Sequence, residues 1–264
     1  MKDWNIKIYR GILTGYNDAF IIDGAKKSEL ITADPKSAEI IRPILRGRDI
    51  KRYSFEHNDL WLIYVPWHFP LQNNNIQGVS NETEDLFKQQ YPAVYNHLLS
   101  YKEALLNRNK AETGIRYEWY ALQRWGANYT DDFSKQKIIW GEISDRPKFT
   151  MDKDGDYFIE ATTFMMTGNH LQYLLLILNS KLSEYFFSKL GTTTGVGTVR
   201  WKKFKLEEFP IPFSEDIHPE LLNKLYKYNQ EIITDVELLS IDKIIYEIYC
   251  LTDEEINYID NIIQ

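Results

Sequence analysis

Apolar and polar residues alternate from Trp4 to Tyr9, and this period of two predicts an opening strand, with Gly11 and Gly15 punctuating the chain beyond it. Ala19-Phe20-Ile21-Ile22-Asp23 is a short apolar run ended by Gly24. Asp34-Pro35 reads as a helix start, with Asp34 as N-cap and Pro35 in the first helical position. That helix must be brief, since Pro43 comes soon after. Leu60 to Val65 predicts a strongly apolar strand that stops at Pro66. Val94, Tyr95, Leu98, Leu99, Lys102, Leu105 and Leu106 keep a spacing of three and four, which predicts a helix over Tyr91–Asn109 with Pro92 in its first turn.

Further strands are predicted at Lys137–Ile143, Lys148–Met151 and Tyr157–Met166, with Asp152–Asp156 as a hairpin turn in which Gly155 supplies the left-handed residue. His170–Leu190 is the most apolar helical stretch, rich in Leu, Ile and Phe, and is expected to be buried on most of its surface. Gly191–Gly197 reads as a loop, and the strand-like Glu207–Phe213 closes the main body. From Pro219 onward the pattern is helical, and Thr252-Asp-Glu-Glu255 is a capping box before the last helix. The expected fold is therefore mixed α/β (α+β): a body over residues 1–213 and a helical C-terminal segment over 214–264.

The 264 residues are 44% hydrophobic, enough for a packed core, and most of the 18 Tyr and 7 Trp should belong to it. The lone cysteine, Cys250, cannot form an internal disulfide; an intracellular, cytoplasmic setting fits, with Cys250 as a small buried hydrophobe. No run of about eighteen apolar residues is present, so no membrane span is expected. The start Met1-Lys-Asp-Trp-Asn5 lacks a signal core and opens almost directly into a strand.

A formal charge of −7 argues at first against a polyanionic partner, but the charge is unevenly distributed. Residues 214–264 hold 12 acidic and 3 basic side chains, leaving 28 basic and 26 acidic in 1–213. Two windows are far more basic: Arg42, Arg46, Arg48, Lys51 and Arg52 against Asp49 in 42–52, and Arg200, Lys202, Lys203 and Lys205 with no acid in 196–205. Local potential steers a polyanion, whereas net charge mainly governs solubility, so DNA is not excluded.

No catalytic or metal-binding set is visible. His57, His68, His97, His170 and His218 are not paired at metal-ligand spacing, and one cysteine cannot build a zinc site. Asp152, Asp154 and Asp156 alternate as in a calcium loop, but the twelfth position is Thr163 where such a loop needs Glu. Asp34-Pro35-Lys36-Ser37 shares only two residues with the Asn/Asp-Pro-Pro-Tyr/Phe tetrad of adenine methyltransferases, and Glu142-Ile143-Ser144 lacks the lysine of a nuclease core.

Several segments in consistent order carry a resemblance. They are Gly11-Ile-Leu-Thr-Gly-Tyr-Asn-Asp-Ala-Phe20, Ile41-Arg-Pro-Ile-Leu-Arg-Gly-Arg-Asp-Ile50 with Lys51-Arg52-Tyr53, and Trp119-Tyr-Ala-Leu-Gln-Arg124. Next come Lys137-Ile-Ile-Trp-Gly-Glu142, Leu174–Leu182 with Asn179-Ser180, Phe209-Pro-Ile-Pro212 and Ile241–Ile256. Together, over about residues 9–260, they resemble the TaqI-like C-terminal specificity domain of fused restriction–modification enzymes and related adenine methyltransferases. The resemblance implies a recognition module for double-stranded DNA that holds no cofactor itself. It also implies a parent with an N-terminal methyltransferase domain using S-adenosylmethionine and often a nuclease domain, for which Mg2+ would be the metal.

Four groups of residues are the expected DNA contacts. Arg46, Arg48, Lys51 and Arg52 surround Gly47 in a turn suited to phosphates, unless its charges pair internally, while Arg42 reads as structural. Thr192, Thr193 and Thr194 of the glycine-rich loop suit phosphates, and Arg200 suits a guanine edge. Trp201 suits either a wedge in the DNA or the core, and Lys202 and Lys203 suit phosphates. Arg124 is a third candidate, against a structural arginine; Ser144, Arg146 and Lys148, after a central strand, are the fourth. Asn17 reads as a turn-former. Two rivals remain: a small enzyme with an unfamiliar pocket, and a protein-interaction module with an apolar surface. The recognition reading requires Arg46, Arg200 and Lys203 to gather along one wall of the folded body.

Overall fold

The computed structural model describes residues 4–72, 75–190, 198–228 and 233–263. Ten strands organise it: β1 (Ile6–Arg10), β2 (Ile21–Asp23), β3 (Ile41–Leu45), β4 (Leu60–Ile63), β5 (Lys137–Gly141), β6 (Ile143–Ser144), β7 (Phe149–Asp152), β8 (Phe158–Ile159), β9 (Thr163–Gly168) and β10 (Val199–Arg200). The helices of the N-terminal half are α1 (Asn17–Phe20), α2 (Gly24–Ala33), α3 (Asn81–Gln90), α4 (Pro92–Leu99) and α5 (Lys102–Asn107). After them come α6 (Leu171–Leu178), α7 (Lys181–Leu190), α8 (Lys203–Glu208), α9 (Pro219–Tyr226), α10 (Asp235–Ile248) and α11 (Asp253–Ile262). The class is mixed α/β, as the patterning requires.

One antiparallel sheet runs β1-β9-β5-β7, and a second runs β2-β4-β3-β8 with β8 parallel to β3. β5 is buried along its whole length. Its alternation divides the molecule: Ile138 and Trp140 point into a core shared with α6, α7, α10 and α11, while Ile139 points into a core shared with the second sheet and α3–α5. Met166 and Met165 on β9 divide in the same way. The first sheet is thus a middle layer with both faces covered, which is why β5 reads as a near-continuous apolar run. The helices of 214–264 share the first core, through residues such as Ile241, Ile245 and Ile259.

Predicted elements differ from observed ones where polar groups redirect the backbone. The expected hairpin after β7 does not form: β7 pairs with β5, whereas β8 pairs with β3. Asp152 makes the difference, because its carboxylate accepts from the amides of Gly155, Asp156 and Tyr157 and turns the chain toward the other sheet. Gly155 does adopt φ +74°. The expected helix His170–Leu190 is two helices, since buried Asn179 leaves helical geometry to pair both its amide atoms with the backbone of Phe149, at 3.0 and 2.9 Å. Ser180 then receives the Ser183 amide, and Asp242 receives the Lys181 amide, at the start of α7. The expected helix Tyr91–Asn109 breaks at Ser100, whose hydroxyl donates to the His97 carbonyl, and at Tyr101, which is non-helical. Glu207–Phe213 is not a strand: α8 runs through Glu208, and Pro210 and Pro212 remove the donors a ladder would need. Cys250 is exposed with φ +52°, at the turn after α10, rather than buried.

The end of β5 away from the loops is held by a buried ion pair. Lys137 Nζ lies 2.6 Å from Asp152 Oδ2 and also donates to the Phe133 carbonyl. Burial pushes the lysine pKa down, against the pull of Asp152. Asp152→Ala should destabilise the fold by about 3–5 kcal/mol in urea unfolding, because it strands the lysine and frees three turn amides. Lys137→Met should cost clearly less, because the carboxylate keeps those amide donors; equal losses would contradict this division of roles.

Candidate nucleic-acid interface

Three chain segments far apart in sequence meet beyond the other end of β5. The first is the turn after β3. Arg46 grips Asp49 through its backbone amide (2.8 Å) and both sides of its guanidinium (3.1 and 3.1 Å), and Asn58 adds a bond at 2.9 Å. Asp49 is 2% exposed; burial opposes its charge, but the bonds from Arg46 and Asn58 outweigh it and hold the carboxyl below its usual range. Arg46 is therefore the lock of the turn, and Arg48 and Lys51 are left on its exposed side. Gly47 lies against Gly141, where a Cβ would stand 3.4 Å from the Gly47 Cα, so the turn seats directly on the end of β5.

The second and third segments pair with each other. β6 and β10 form a two-stranded antiparallel ribbon, Val199 opposite Ser144 and Arg200 opposite Ile143. Two of the four expected contact groups, around Ser144 and around Arg200, thus become neighbours although more than fifty residues separate them. The Trp201 amide donates to the Glu142 carbonyl, which continues the ribbon back to β5.

Glu142 organises the site. Its side chain, 15% exposed, takes Arg200 on one oxygen at 3.1 Å and Arg10 on the other at 3.0 Å. The arginines remain 38% and 58% exposed, so one carboxylate orients two forked donors without using all their N–H groups. Arg48, Lys51, Ser144, Lys148 and Arg200 line a common groove of about 550 Å³ with Glu142. A neighbouring groove of about 490 Å³, lined by Asn17, Arg46 and Glu160, shares Gly47, Arg48 and Thr162 with it, so the two are continuous. Asp145 is engaged by Lys148 at 2.6 Å; that bond, with burial opposing it, keeps the carboxyl below its usual range. The Ser144 hydroxyl donates to the Arg146 carbonyl at 2.7 Å and shapes the loop. Asn17 bonds Glu160 at 2.9 Å and accepts from Thr14, the work of a turn-former that also faces the groove.

The remaining candidates are placed elsewhere. Trp201, read as a wedge or a core residue, is core: it is 2% exposed and packs on Phe187 at 4.4 Å and edgewise on Phe149, so it has no face to offer DNA. Arg52 turns inward to the Asn179 carbonyl and toward Asp242, joining the turn to the α6–α7 break. Arg42 donates to the carbonyls of Ala38, Glu39 and Ile41, a structural role. Arg146 lies 3.9 Å from Glu184, whose carboxyl burial pushes up despite that arginine. Lys202 occupies the N-cap position of α8 without a side-chain capping bond, and Lys203, exposed in the first turn, sits 3.8 Å from Glu207 and lines neither groove. Arg124 pairs with Glu112 at 2.8 Å on a separate surface. Thr192, Thr193 and Thr194 lie outside the described residues. Arg10, absent from the expected set, was hidden in an alternating strand, and Glu142 was legible only as a failed nuclease acid. Among the described residues no group of three or more His, Cys, Asp or Glu stands close enough to hold a metal.

The TaqI-like C-terminal specificity domain family matches residues 42–211. A type II methyltransferase, M.MjaIV of Methanocaldococcus jannaschii, is 25% identical over 243 residues, which cover 88% of this chain and 74% of that one. The fold is similar to that of the type IIL restriction–modification enzyme MmeI, solved in complex with DNA (TM-score 0.62, 13% identity, 95% of this chain and 33% of that one). It is also similar to the type IIG restriction endonuclease BpuSI (TM-score 0.52, 14% identity, 94% and 31%). The chain spans about a third of the length of either solved enzyme.

The Asp49 lock has a pH signature. With its pKa lowered on folding, its contribution is complete above the ordinary aspartate value of about 4 and is lost as pH falls through the lower folded value. Asp49→Asn should therefore reduce stability near neutral pH and flatten the loss seen on acidification below about pH 4. Urea titrations at pH 7 and pH 3 check this; an unchanged slope would remove Asp49 from the account.

Proposed function

Because this chain belongs to the TaqI-like C-terminal specificity domain family, we propose that it is the DNA target recognition module of a restriction–modification enzyme. The observation that carries the reading is the groove at the end of β5, where Arg48, Lys51, Lys148 and Arg200 converge from three separated segments. Most protein–DNA hydrogen bonds position the backbone, whereas base edges give the sequence. Arg48, Lys51 and Lys148 are the phosphate contacts of this reading. Arg200 and Arg10, oriented by Glu142, present forked donors of the kind that match the O6 and N7 acceptors of guanine.

In the parent this grip would set an adenine before the methyltransferase domain, which would flip and methylate it with S-adenosylmethionine bound in that domain. A nuclease domain, with its Mg2+, would act on the same register. The enzyme would work in the cytoplasm, where its DNA lies; no described helix is long and apolar enough to cross a membrane. The acidic helical segment 214–264 would turn away from DNA. Val236, Leu239 and Tyr258 are exposed on it, which favours contact with a neighbouring protein domain there.

The small-enzyme alternative needs carboxylates with raised pKa in a pocket. Among the described residues, the carboxyls that burial raises, Glu184 and Asp242, instead answer to Arg146, Arg52 and the Lys181 amide at the α7 start. That favours recognition over catalysis in this chain.

Selection from a random duplex library, with the chain in its natural polypeptide, should enrich one motif. Arg200→Ala should weaken binding to it by about 1–3 kcal/mol and relax preference at one base pair. Lys148→Ala should weaken binding to all sequences alike and reduce the salt slope by about one. Failure to enrich any motif, or an affinity indifferent to salt, overturns the proposal.

A further inference from the structure

A second surface, away from the β6–β10 ribbon, joins two indoles to two guanidinium groups. Trp67 and Trp125 line an open cavity of about 410 Å³, with Arg116 beside them and Ile115 exposed at its edge. The Trp67 ring is braced from behind. It stacks on Tyr117 with centroids 4.5 Å apart at 14°, and its indole N–H donates to the Leu122 carbonyl at 2.8 Å. Arg116 and Arg124 lie over the same ring, so Trp67 is the bed on which two guanidinium groups rest. Arg116 and Arg124 hold opposite oxygens of Glu112 at 2.7 and 2.8 Å, with their guanidinium carbons 5.6 and 5.9 Å from the Trp67 centroid. One carboxylate between two exposed guanidiniums leaves a surplus of positive charge and unfilled N–H donors, the setting for an anion. The cavity is tied to the groove: Leu13 and Arg124 exchange backbone hydrogen bonds at 3.0 and 2.9 Å, and Leu13 leads through Thr14 to Asn17 at the groove's end.

We propose that Trp125, together with the guanidinium groups that rest on Trp67, forms a cradle for a single unstacked nucleobase, with Arg116 and Arg124 also meeting the phosphate beside it. The proposal rests on the groove being a DNA face. Flat aromatic surface flanked by arginine is what an unpaired base recognises, since every base has a π-face and stacking tolerates any sequence. A paired base inside a duplex offers no such face, so the cradle selects locally opened DNA and adds to the groove's grip there.

The test compares a labelled duplex carrying one unpaired bulged base with the same duplex fully paired, both containing the selected motif. The intact chain should bind the bulged duplex about tenfold more tightly, in line with the worth of one stacked base. Trp125→Ala should abolish that preference and leave the fully paired affinity unchanged. Arg116→Ala should reduce the preference and make the remainder less sensitive to salt. Equal binding of the two duplexes, or an undiminished preference in both variants, overturns the cradle while leaving the groove in place. Failure of either duplex to bind overturns the groove reading, and the cradle with it.

Discussion

A single strand sealed on both faces governs this molecule. β5 has Ile138 and Trp140 committed to one core and Ile139 to the other, so its register cannot slip by one residue without sending each side chain into the wrong layer. Its two ends are the places where polar groups gather. At one, Lys137 meets Asp152, and the same carboxylate turns the chain away from a hairpin. At the other, Gly141 abuts the Gly47 turn and Glu142 emerges between two arginines. The groove is therefore mounted on the end of a strand buried along its whole length, which suits a surface whose side chains must meet base edges within tenths of an ångström.

Charge is segregated more than it is balanced. Acidic residues such as Glu220, Asp235, Glu237 and Glu255 lie on helices that share the first core, while the groove draws its cations from the turn after β3, the loop after β6 and the β10 strand. The acids within the groove are engaged: Glu142 by Arg10 and Arg200, Asp145 by Lys148. Such pairs keep long cationic side chains in place before a ligand arrives, which lowers the ordering cost of binding. An anionic protein can thus carry a cationic strip, because potential near a surface depends on local arrangement.

Most of the elements could be read from the chain because they rest on local rules. Asp34 caps the short helix at Pro35, Thr252 and Glu255 form their capping box, and the apolar run around Leu60 is β4, each as its pattern requires. The weakly amphipathic α2, with Leu30 as its buried contact, left no periodic signal. The breaks at Asn179 and Asp152 were equally silent, because each side chain bonds a partner at long range or redirects a turn, and neither act alters hydrophobic periodicity.

What the sequence determined by itself was the class of fold, the family to which residues 42–211 belong, and the basic segments from which a DNA face would be drawn. Those come from composition, from short-range spacing and from motif order. Tertiary structure alone decided which charges are free. It turned Arg46 and Arg52 inward, sank Trp201 into the core, and set Arg10 beside Arg200 on one carboxylate. The reason is physical: a side chain's availability depends on what packs against it from distant segments, and burial and pairing are properties of that assembly.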